Sequence, residues 1–488
     1  MGPEVSGGSR FEGLMARHAH IVGVCGTAMA PLAGLLRETG WRVTGSDLNA
    51  YPPMSTQLDN LSIEVMKGYD AAHLDPRPDL VVIGNVCRKD NPEAVAAIER
   101  GIPYASMPSL LDEHFLRDRH AVVVTGTHGK TTTASLLAWL LDSAGRSPSF
   151  LVGGVPHGFG QPYGIGRGPH FVIEGDEYGT AFFDKGPKFL HYRPRTAIVT
   201  SIEFDHADIF RDFAHYRSAF ERFVAIIPRE GDLVAADDPA VAAVTAGAAC
   251  RVHTYGEGIG PEYACRDVTF DAGGASFLLA EGGRDLGRLN TALPGMHNVK
   301  NAVAAAGACR VLGLSFDEIA RGMASFAGVE RRQTFRGVRG GVSVIDDFAH
   351  HPTAVRETLD AVRKKYVDGT NGRLVAVFEP RSNSSRRNVF QAEYAAAFGA
   401  ADLAVIAAPY SAAAVDASQR LDPERLAGDI TRLGTRAAAI PDVPKILVFL
   451  VGELRVGDVV LVMSNGAFDN LVPRLLEALS ARSDGALA

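Results

Sequence analysis

Cysteine is scarce in this chain: there are five thiols in 488 residues, Cys25, Cys87, Cys250, Cys265 and Cys309, an odd total with no C-x-x-C spacing. That excludes a disulfide framework and leaves no ligand pattern for a structural zinc site, so reduced thiols are expected. No run of about eighteen apolar residues occurs, and the first twenty residues hold no apolar segment. Neither a membrane-spanning helix nor a secretory leader is therefore expected, and the expected compartment is the cytoplasm. Positive charge is not in excess either. With 49 Lys and Arg against 56 Asp and Glu the net charge is -7, and no basic stripe is present to displace counterions from nucleic acid. What remains is a soluble composition, 46% hydrophobic and 22% charged, over a length that suggests about three domains.

A glycine is also missing where one is usual. The run Val122-Val123-Val124-Thr125-Gly126-Thr127-His128-Gly129-Lys130-Thr131-Thr132-Thr133 reads as a strand, a glycine loop, a lysine and a hydroxyl, followed by helix-compatible apolar residues over 134–141. The common phosphate loop would start with glycine at position 124, where valine stands. The chemistry is nevertheless that of a triphosphate cradle. Backbone N–H groups face the phosphates, Lys130 neutralises the outer ones, and the Thr131 hydroxyl takes a place on Mg²⁺. An ordinary strand-to-helix turn would leave the Lys-Thr-Thr run unexplained, so ATP or a close relative is the expected ligand.

The pattern predicts an α/β chain of three units: a Rossmann-like N-terminal domain over 1–119, a P-loop-type central ATPase domain over 120–328 and a Rossmann-like C-terminal domain over 329–488. In the first unit His20-Ile21-Val22-Gly23-Val24-Cys25-Gly26 is a strand entering a glycine turn, 28–39 has helical spacing, and 41–44 begins a second strand. Leu80-Val81-Val82-Ile83-Gly84-Asn85 and Ile102-Pro103-Tyr104 extend the sheet. The turn reads Gly-x-x-Gly, so the dinucleotide fingerprint is incomplete. Asp47, about twenty residues beyond the turn, either holds a ribose or caps its own loop, and the spacing fits both.

In the second unit Phe171-Val172-Ile173 delivers Glu174 at a strand end, where ligands collect in parallel sheets. With Thr131 it makes an oxygen pair suited to Mg²⁺. Ala197-Ile198-Val199-Thr200-Ser201 runs into Glu203-Phe204-Asp205-His206-Ala207-Asp208. There His206 is read as a ligand to a second metal or a phosphoryl oxygen, or else as a solvated loop histidine. The glycine-rich stretch 153–168 predicts a mobile loop, 263–289 a small antiparallel lobe, and 299–312 an alanine-rich helix stopped by Gly313.

In the third unit the strands Val342-Ser343-Val344-Ile345, Leu374-Val375-Ala376-Val377-Phe378, Leu403-Ala404-Val405-Ile406 and Val459-Val460-Leu461-Val462-Met463 predict another open parallel sheet. The tail after Ser480 is expected to fray. Asp346-Asp347-Phe348-Ala349-His350-His351-Pro352 follows the first of these strands, with Pro352 opening a helix. Glu379-Pro380-Arg381-Ser382-Asn383-Ser384-Ser385-Arg386-Arg387 follows the second, where guanidinium forks suit carboxylate or phosphate.

Taken together, Gly126-Thr127-His128-Gly129-Lys130-Thr131-Thr132, Glu174 with Asp176-Glu177, Glu203-Phe204-Asp205-His206, His297-Asn298 with Asn301, Arg331-Arg332 and the 346–352 run resemble the Mur ligases. These are the ATP-dependent amide-forming enzymes of peptidoglycan synthesis. The resemblance covers about 20–470, and the family's shortened loop accounts for the absent glycine at 124. It implies ATP and Mg²⁺ as cofactors, with Gly126, Thr127, His128, Gly129, Lys130, Thr131 and Thr132 on the phosphates. It puts His297, Asn298 and Asn301 around the adenine, Arg332 and Asp347 on the far side of ATP, and Thr131, Glu174 and His206 on metal. Gly23, Gly26, Thr27, Asp47 and Asn85 would hold the uridine diphosphate of UDP-N-acetylmuramate, while His350, Arg381, Ser382 and Asn383 would meet an incoming peptide. The implied catalytic set is Lys130, Glu174, His206 and His350, the last taking the amine's proton.

Within the family, Cys25-Gly26-Thr27, Tyr51-Pro52-Pro53-Met54-Ser55-Thr56, Phe182-Phe183-Asp184-Lys185 and Glu379-Pro380-Arg381-Ser382-Asn383 look like one branch. That branch joins the recycled tripeptide L-alanyl-γ-D-glutamyl-meso-diaminopimelate to UDP-N-acetylmuramate. The alternative is the sister activity that adds L-alanine to the same sugar, whose loop usually carries a glutamine, a proline and then His-Arg. Ser385-Arg386-Arg387 departs from the methionine-containing stretch usual in the tripeptide branch, and no lysine is placed as a carbamylated metal ligand. Two readings of other classes remain. A nicotinamide oxidoreductase leaves the Lys130 loop unexplained, and a nucleotide-gated binding module would hydrolyse ATP without an amine acceptor. No nucleic-acid or membrane partner is implied.

Overall fold

The structure, a computed structural model, describes residues 17–50 and 54–485, so Tyr51-Pro52-Pro53 of the motif above lie outside the described residues. In the first sheet β1 (His18–Val22), β2 (Arg42–Asp47), β3 (Val65–Lys67), β4 (Leu80–Ile83) and β5 (Tyr104–Ser106) run parallel in the order β3-β2-β1-β4-β5. The chain leaves β1 toward β2 on one side and later returns to β4 on the other. That switch opens a crevice at the C-terminal end of β1, beside Gly23. The fifth strand sits two residues later than the sequence pattern predicts, since Pro103 cannot donate to a ladder.

The second sheet contains β6 (His120–Thr125), β7 (Ser149–Leu151), β8 (Tyr163–Gly164), β9 (His170–Gly175), β12 (Thr196–Val199), β13 (Asp232–Ala236), β14 (Arg251–Glu257), β15 (Tyr263–Asp271), β16 (Gly274–Glu281) and β17 (Arg284–Thr291). A separate hairpin, β10 (Gly179–Ala181) with β11 (Asp184–Pro187), follows β9. The sheet order is β17-β16-β15-β14-β13-β12-β6-β9-β7-β8. Its middle strands β6 and β12 are apolar on both faces because helices cover both. Lys130–Ser143 and Met296–Val311 pack on one face, and Phe213–Ala225 packs on the other.

Two expectations are corrected here. The 263–289 segment is antiparallel but not a separate lobe: β15 pairs parallel with β14, so the hairpins prolong the central sheet. The 153–168 stretch is fastened rather than loose. Its β8 pairs with β7, and the ring of Tyr163, 1% exposed, lies against Gly34 in the first-domain helix Met29–Glu38, where a Cβ would stand 2.1 Å from the ring.

The third sheet orders β18 (Thr334–Arg339), β19 (Val342–Asp347), β20 (Leu374–Phe378), β21 (Leu403–Ile406), β22 (Arg436–Ala439) and β23 (Val459–Met463) as β18-β19-β23-β20-β21-β22. All pairs are parallel except the edge pair β18–β19. The final helix runs Leu471–Gly485, past the point at which fraying was expected, and up to Leu479 it is anchored by Leu471, Leu475 and Leu479, a buried stripe against this sheet. The central and third units touch directly. Asn383 donates to Asp208 at 2.7 Å and Thr353 to Glu203 at 2.8 Å. No described helix is long and apolar enough to cross a membrane.

Candidate functional site

The phosphate loop joins β6 to the helix Lys130–Ser143, and two of its glycines are dictated by space and conformation. Gly126 has φ +130 and a Cβ there would meet the Thr200 hydroxyl at 2.1 Å; Gly129 has φ +78 and a Cβ would meet Asn301 at 2.3 Å. Thr127 donates to the Glu203 carbonyl at 2.9 Å and tethers the loop to the segment after β12. Lys130 donates to the Gly126 carbonyl at 2.6 Å and to Glu177 Oε2 at 3.0 Å. Burial alone would depress its pKa, but the carboxylates of Glu177, Asp176 and Glu174 outweigh that and raise it.

Glu174 at the end of β9 accepts from the Thr131 hydroxyl at 3.1 Å and from the Gly153 N–H at 2.7 Å. Burial and the neighbouring Asp176 push its carboxyl up, which a divalent cation would relieve. Octahedral Mg²⁺ at its usual bond length holds adjacent oxygens about 3 Å apart. The Thr131–Glu174 pair fits that spacing, and Arg332, donating to the Thr131 hydroxyl at 3.0 Å, stands beside it.

His206, the third residue expected on metal, faces the Glu177 carboxylate in this arrangement. Its Nε2 lies 3.1 Å from Glu177 Oε1, and although burial opposes the charged form, Glu177 and Asp205 raise its pKa to about 9. Its backbone is held at φ +52. Glu177, 1% exposed, is the hub: despite its burial, Lys130 and His206 hold its carboxyl down at about 2. The sequence reading quoted Glu177 only as part of a motif. Its partners become visible only when the loops after β6, β9 and β12 converge. Lys188, 6% exposed, also escaped that reading; it pairs with Asp176 at 3.1 Å and sits over the Tyr178 ring at 4.2 Å.

Beside this cluster a cavity of about 700 Å³ opens between the central and third units. It is lined by His128, Gly129, Thr132, His297, Asn298, Asn301, Arg332 and Asp347, eight residues predicted around a nucleotide. Gly126, Thr127, Lys130 and Thr131 are not among its lining residues. Asp347 accepts from the N–H groups of Gln333 and Ala349 at 2.7 Å each, so it also shapes its own loop. His297 contacts the Gln333 amide at 3.1 Å and is kept neutral by burial, with its pKa near 4. Gln333, Tyr255 and the Lys300–Glu257 pair (2.9 Å) line the same cavity and carried no sequence signal.

The peptide-side residues are largely engaged within the protein. Arg381 stacks 3.7 Å over the Tyr410 ring and faces Glu379 at 3.7 Å. Ser382 accepts from the Ser385 N–H at 3.0 Å, closing its own turn. Asn383 makes the Asp208 contact already described. His350 donates Nδ1–H to the Phe348 carbonyl at 3.0 Å, leaving Nε2 as an acceptor, and burial lowers its pKa.

In the first unit Gly23 has φ +80, and its N–H and that of Val24 donate to the Ser46 carbonyl at 2.8 and 3.1 Å. Asp47 accepts from Cys25 N–H at 3.0 Å and from Asn49 N–H at 3.1 Å, so the loop-capping role is filled. Thr27 and Asn85 are exposed beside this turn, and Gly26 closes it with a 3.2 Å bond to the Gly23 carbonyl. The donor-site candidates therefore share one strand-end crevice.

Comparison with known proteins matches this architecture unit by unit. The profile of the Mur ligase family catalytic domain matches residues 18–119, the Mur ligase middle domain 124–309, and the Mur ligase glutamate ligase domain 330–466. The chain is 40% identical to the UDP-N-acetylmuramate–L-alanyl-γ-D-glutamyl-meso-2,6-diaminoheptandioate ligase of Escherichia coli K12, over 96% of this chain and 99% of that one. It is 32% identical to the UDP-N-acetylmuramate–L-alanine ligase of Acetivibrio thermocellus, over 92% and 93%. Among solved structures, a murein peptide ligase from Psychrobacter arcticus 273-4 superimposes with a TM-score of 0.74 at 34% identity, covering 95% of this chain and 99% of that one. The chain belongs to the Mur ligase family.

Proposed function

We propose that this chain is an ADP-forming ligase that joins the tripeptide L-alanyl-γ-D-glutamyl-meso-diaminopimelate to UDP-N-acetylmuramate, in the cytoplasm, as a step of peptidoglycan recycling. The observation that carries the reading is the 40% identity over 96% of the chain with a ligase named for this sugar and this peptide. In this reading residues 1–119 bind the UDP-sugar, 120–328 bind ATP, and 329–488 bind the peptide and close over the nucleotide.

The residues supply the steps in order. A carboxylate is a poor acyl donor, so the sugar's carboxylate oxygen first takes the γ-phosphoryl group of ATP, giving an acyl phosphate and ADP. The loop N–H groups and the Lys130 ammonium face the charge on the transferring group, Lys130 exchanging part of its bond to Glu177 for phosphate oxygen. Mg²⁺ held by Thr131 and Glu174 would draw further charge off those oxygens. The peptide's neutral amine then attacks the acyl carbon and phosphate leaves; His350, with Nε2 free, accepts the amine's proton. Closure of the central and third units over the acyl phosphate would exclude water that hydrolyses it.

The test is ADP release with each substrate omitted in turn. Turnover should require both UDP-N-acetylmuramate and the tripeptide, with the amide product seen by mass. ADP release that ignores the amine would contradict the reading, and product formed from L-alanine alone would assign the sister activity.

A further inference from the structure

His128 in the phosphate loop, Glu203 after β12 and His351 at the start of the helix Pro352–Val362 converge across the boundary between the central and third units. One ligand atom from each of the three lies within 4.8 Å of the other two. Individual separations are 2.8 Å from His128 to Glu203 and 3.9 Å from Glu203 to His351. We propose that these three side chains form a site for a divalent transition-metal ion of the zinc and cobalt class, clamped between the two units and separate from the Thr131–Glu174 oxygen pair. The inference goes beyond the ligase reading and does not depend on it.

The surroundings are those of a metal site rather than of a chance cluster. A ligating imidazole ordinarily gives its other N–H to a carbonyl, which fixes the tautomer and aims the lone pair. His351 does this: Nε2 lies 3.3 Å from the Phe204 carbonyl, so Nδ1 carries a lone pair on the Glu203 side. The second oxygen of Glu203 is oriented by the Thr353 hydroxyl at 2.8 Å. In this structure the His351 Nδ1 lone pair accepts the Thr353 N–H as the cap of the helix. An ion there would replace the long 3.3 Å contact from the Thr353 N–H to Nδ1, and His128 would carry its proton on Nδ1. Two imidazoles and one carboxylate suit zinc or cobalt, whereas Mg²⁺ takes oxygen ligands. His128 and Glu203 also line the nucleotide cavity, so the remaining coordination positions face that space.

The experiment is Co²⁺ and Zn²⁺ binding to the full chain with nucleotide absent, followed by the visible absorption of Co²⁺ and by calorimetry. One equivalent should bind, with a Co²⁺ spectrum of mixed nitrogen and oxygen coordination. His351→Asn keeps a good helix cap but loses the imidazole; it and Glu203→Gln should each weaken Zn²⁺ by at least about a hundredfold. Glu174→Gln should leave Zn²⁺ affinity unchanged. Circular dichroism in chelator establishes that each variant is folded, and His128→Asn replaces any that is not. Absence of binding by the wild-type chain, or equal binding by the His351 and Glu203 variants, overturns the proposal.

Discussion

Lys130 and Glu177 lie 3.0 Å apart with side chains 12% and 1% exposed, so the lysine proposed to meet phosphate also neutralises a buried carboxylate. Removing it has two separable effects. Lys130→Ala is expected to lower kcat by about a hundredfold or more, and to destabilise by on the order of 3 kcal/mol because Glu177 loses a partner. Lys130→Ala/Glu177→Gln should recover most of the urea midpoint and none of the turnover; near-normal turnover in either folded variant would contradict the phosphate assignment. Glu174→Gln should shift the Mg²⁺ midpoint of activity upward while leaving the KM for the UDP-sugar nearly unchanged, since the amide keeps the shape and loses the charge. His206 and Glu177 together set a pH window. His206, raised from 6.5 to about 9, adds stability that is full below 6.5 and lost as pH rises through 9. Glu177, lowered from 4.5 to about 2, adds stability that is present above 4.5 and lost as pH falls toward 2. His206→Gln should therefore flatten the fall of Tm between pH 6.5 and 9, and wild-type and variant curves that stay parallel there would exclude the pair as its cause.

At the scale of elements, the first and central units are wedged together where Gly34 of the helix Met29–Glu38 receives the Tyr163 ring of β8. Gly34→Ala drives a methyl into that ring and should cost about 1–3 kcal/mol. Gly34→Ala/Tyr163→Ala should be less destabilised than the sum of the two single changes, measured by thermal denaturation; strict additivity would show that the contact does not exist in solution. The elements legible in the sequence were those whose physics is local. Val122-Val123-Val124, 374–378 and 459–463 are continuous apolar runs because parallel strands are covered on both faces. The edges carried no such run. Val65–Lys67 and Arg436–Ala439 are half-exposed, and the interior strand β14 likewise begins with the exposed Arg251 and Val252. The 263–289 hairpins were read correctly as antiparallel, but their junction with β14 depends on a long-range pairing that no local pattern encodes.

For the whole molecule the same distinction applies to the candidate site. The motif residues of the phosphate loop, Asn298, Asn301, Arg332 and Asp347 are spread over more than two hundred positions, yet eight predicted residues line one cavity between two units. The phosphate loop and Asp347 were legible because each sits at a strand end, whereas Asn298 and Asn301 in the helix Met296–Val311 and Arg332 before β18 were named only through the family resemblance. Which of them face the cavity, and which are spent on internal bonds as Ser382, Asn383 and Asp47 are, is settled by packing. In the proposed function the acceptor would enter against the third unit, where Arg381 stacks on Tyr410. An acceptor long enough to place carboxylates near that guanidinium gains remote binding energy that free L-alanine cannot use. The most direct measurement is kcat/KM for L-alanyl-γ-D-glutamyl-meso-diaminopimelate and for L-alanine, with UDP-N-acetylmuramate and ATP saturating. The tripeptide should be preferred by roughly a hundredfold or more, as expected from one or two charge-assisted contacts; a preference for L-alanine would contradict the proposed function.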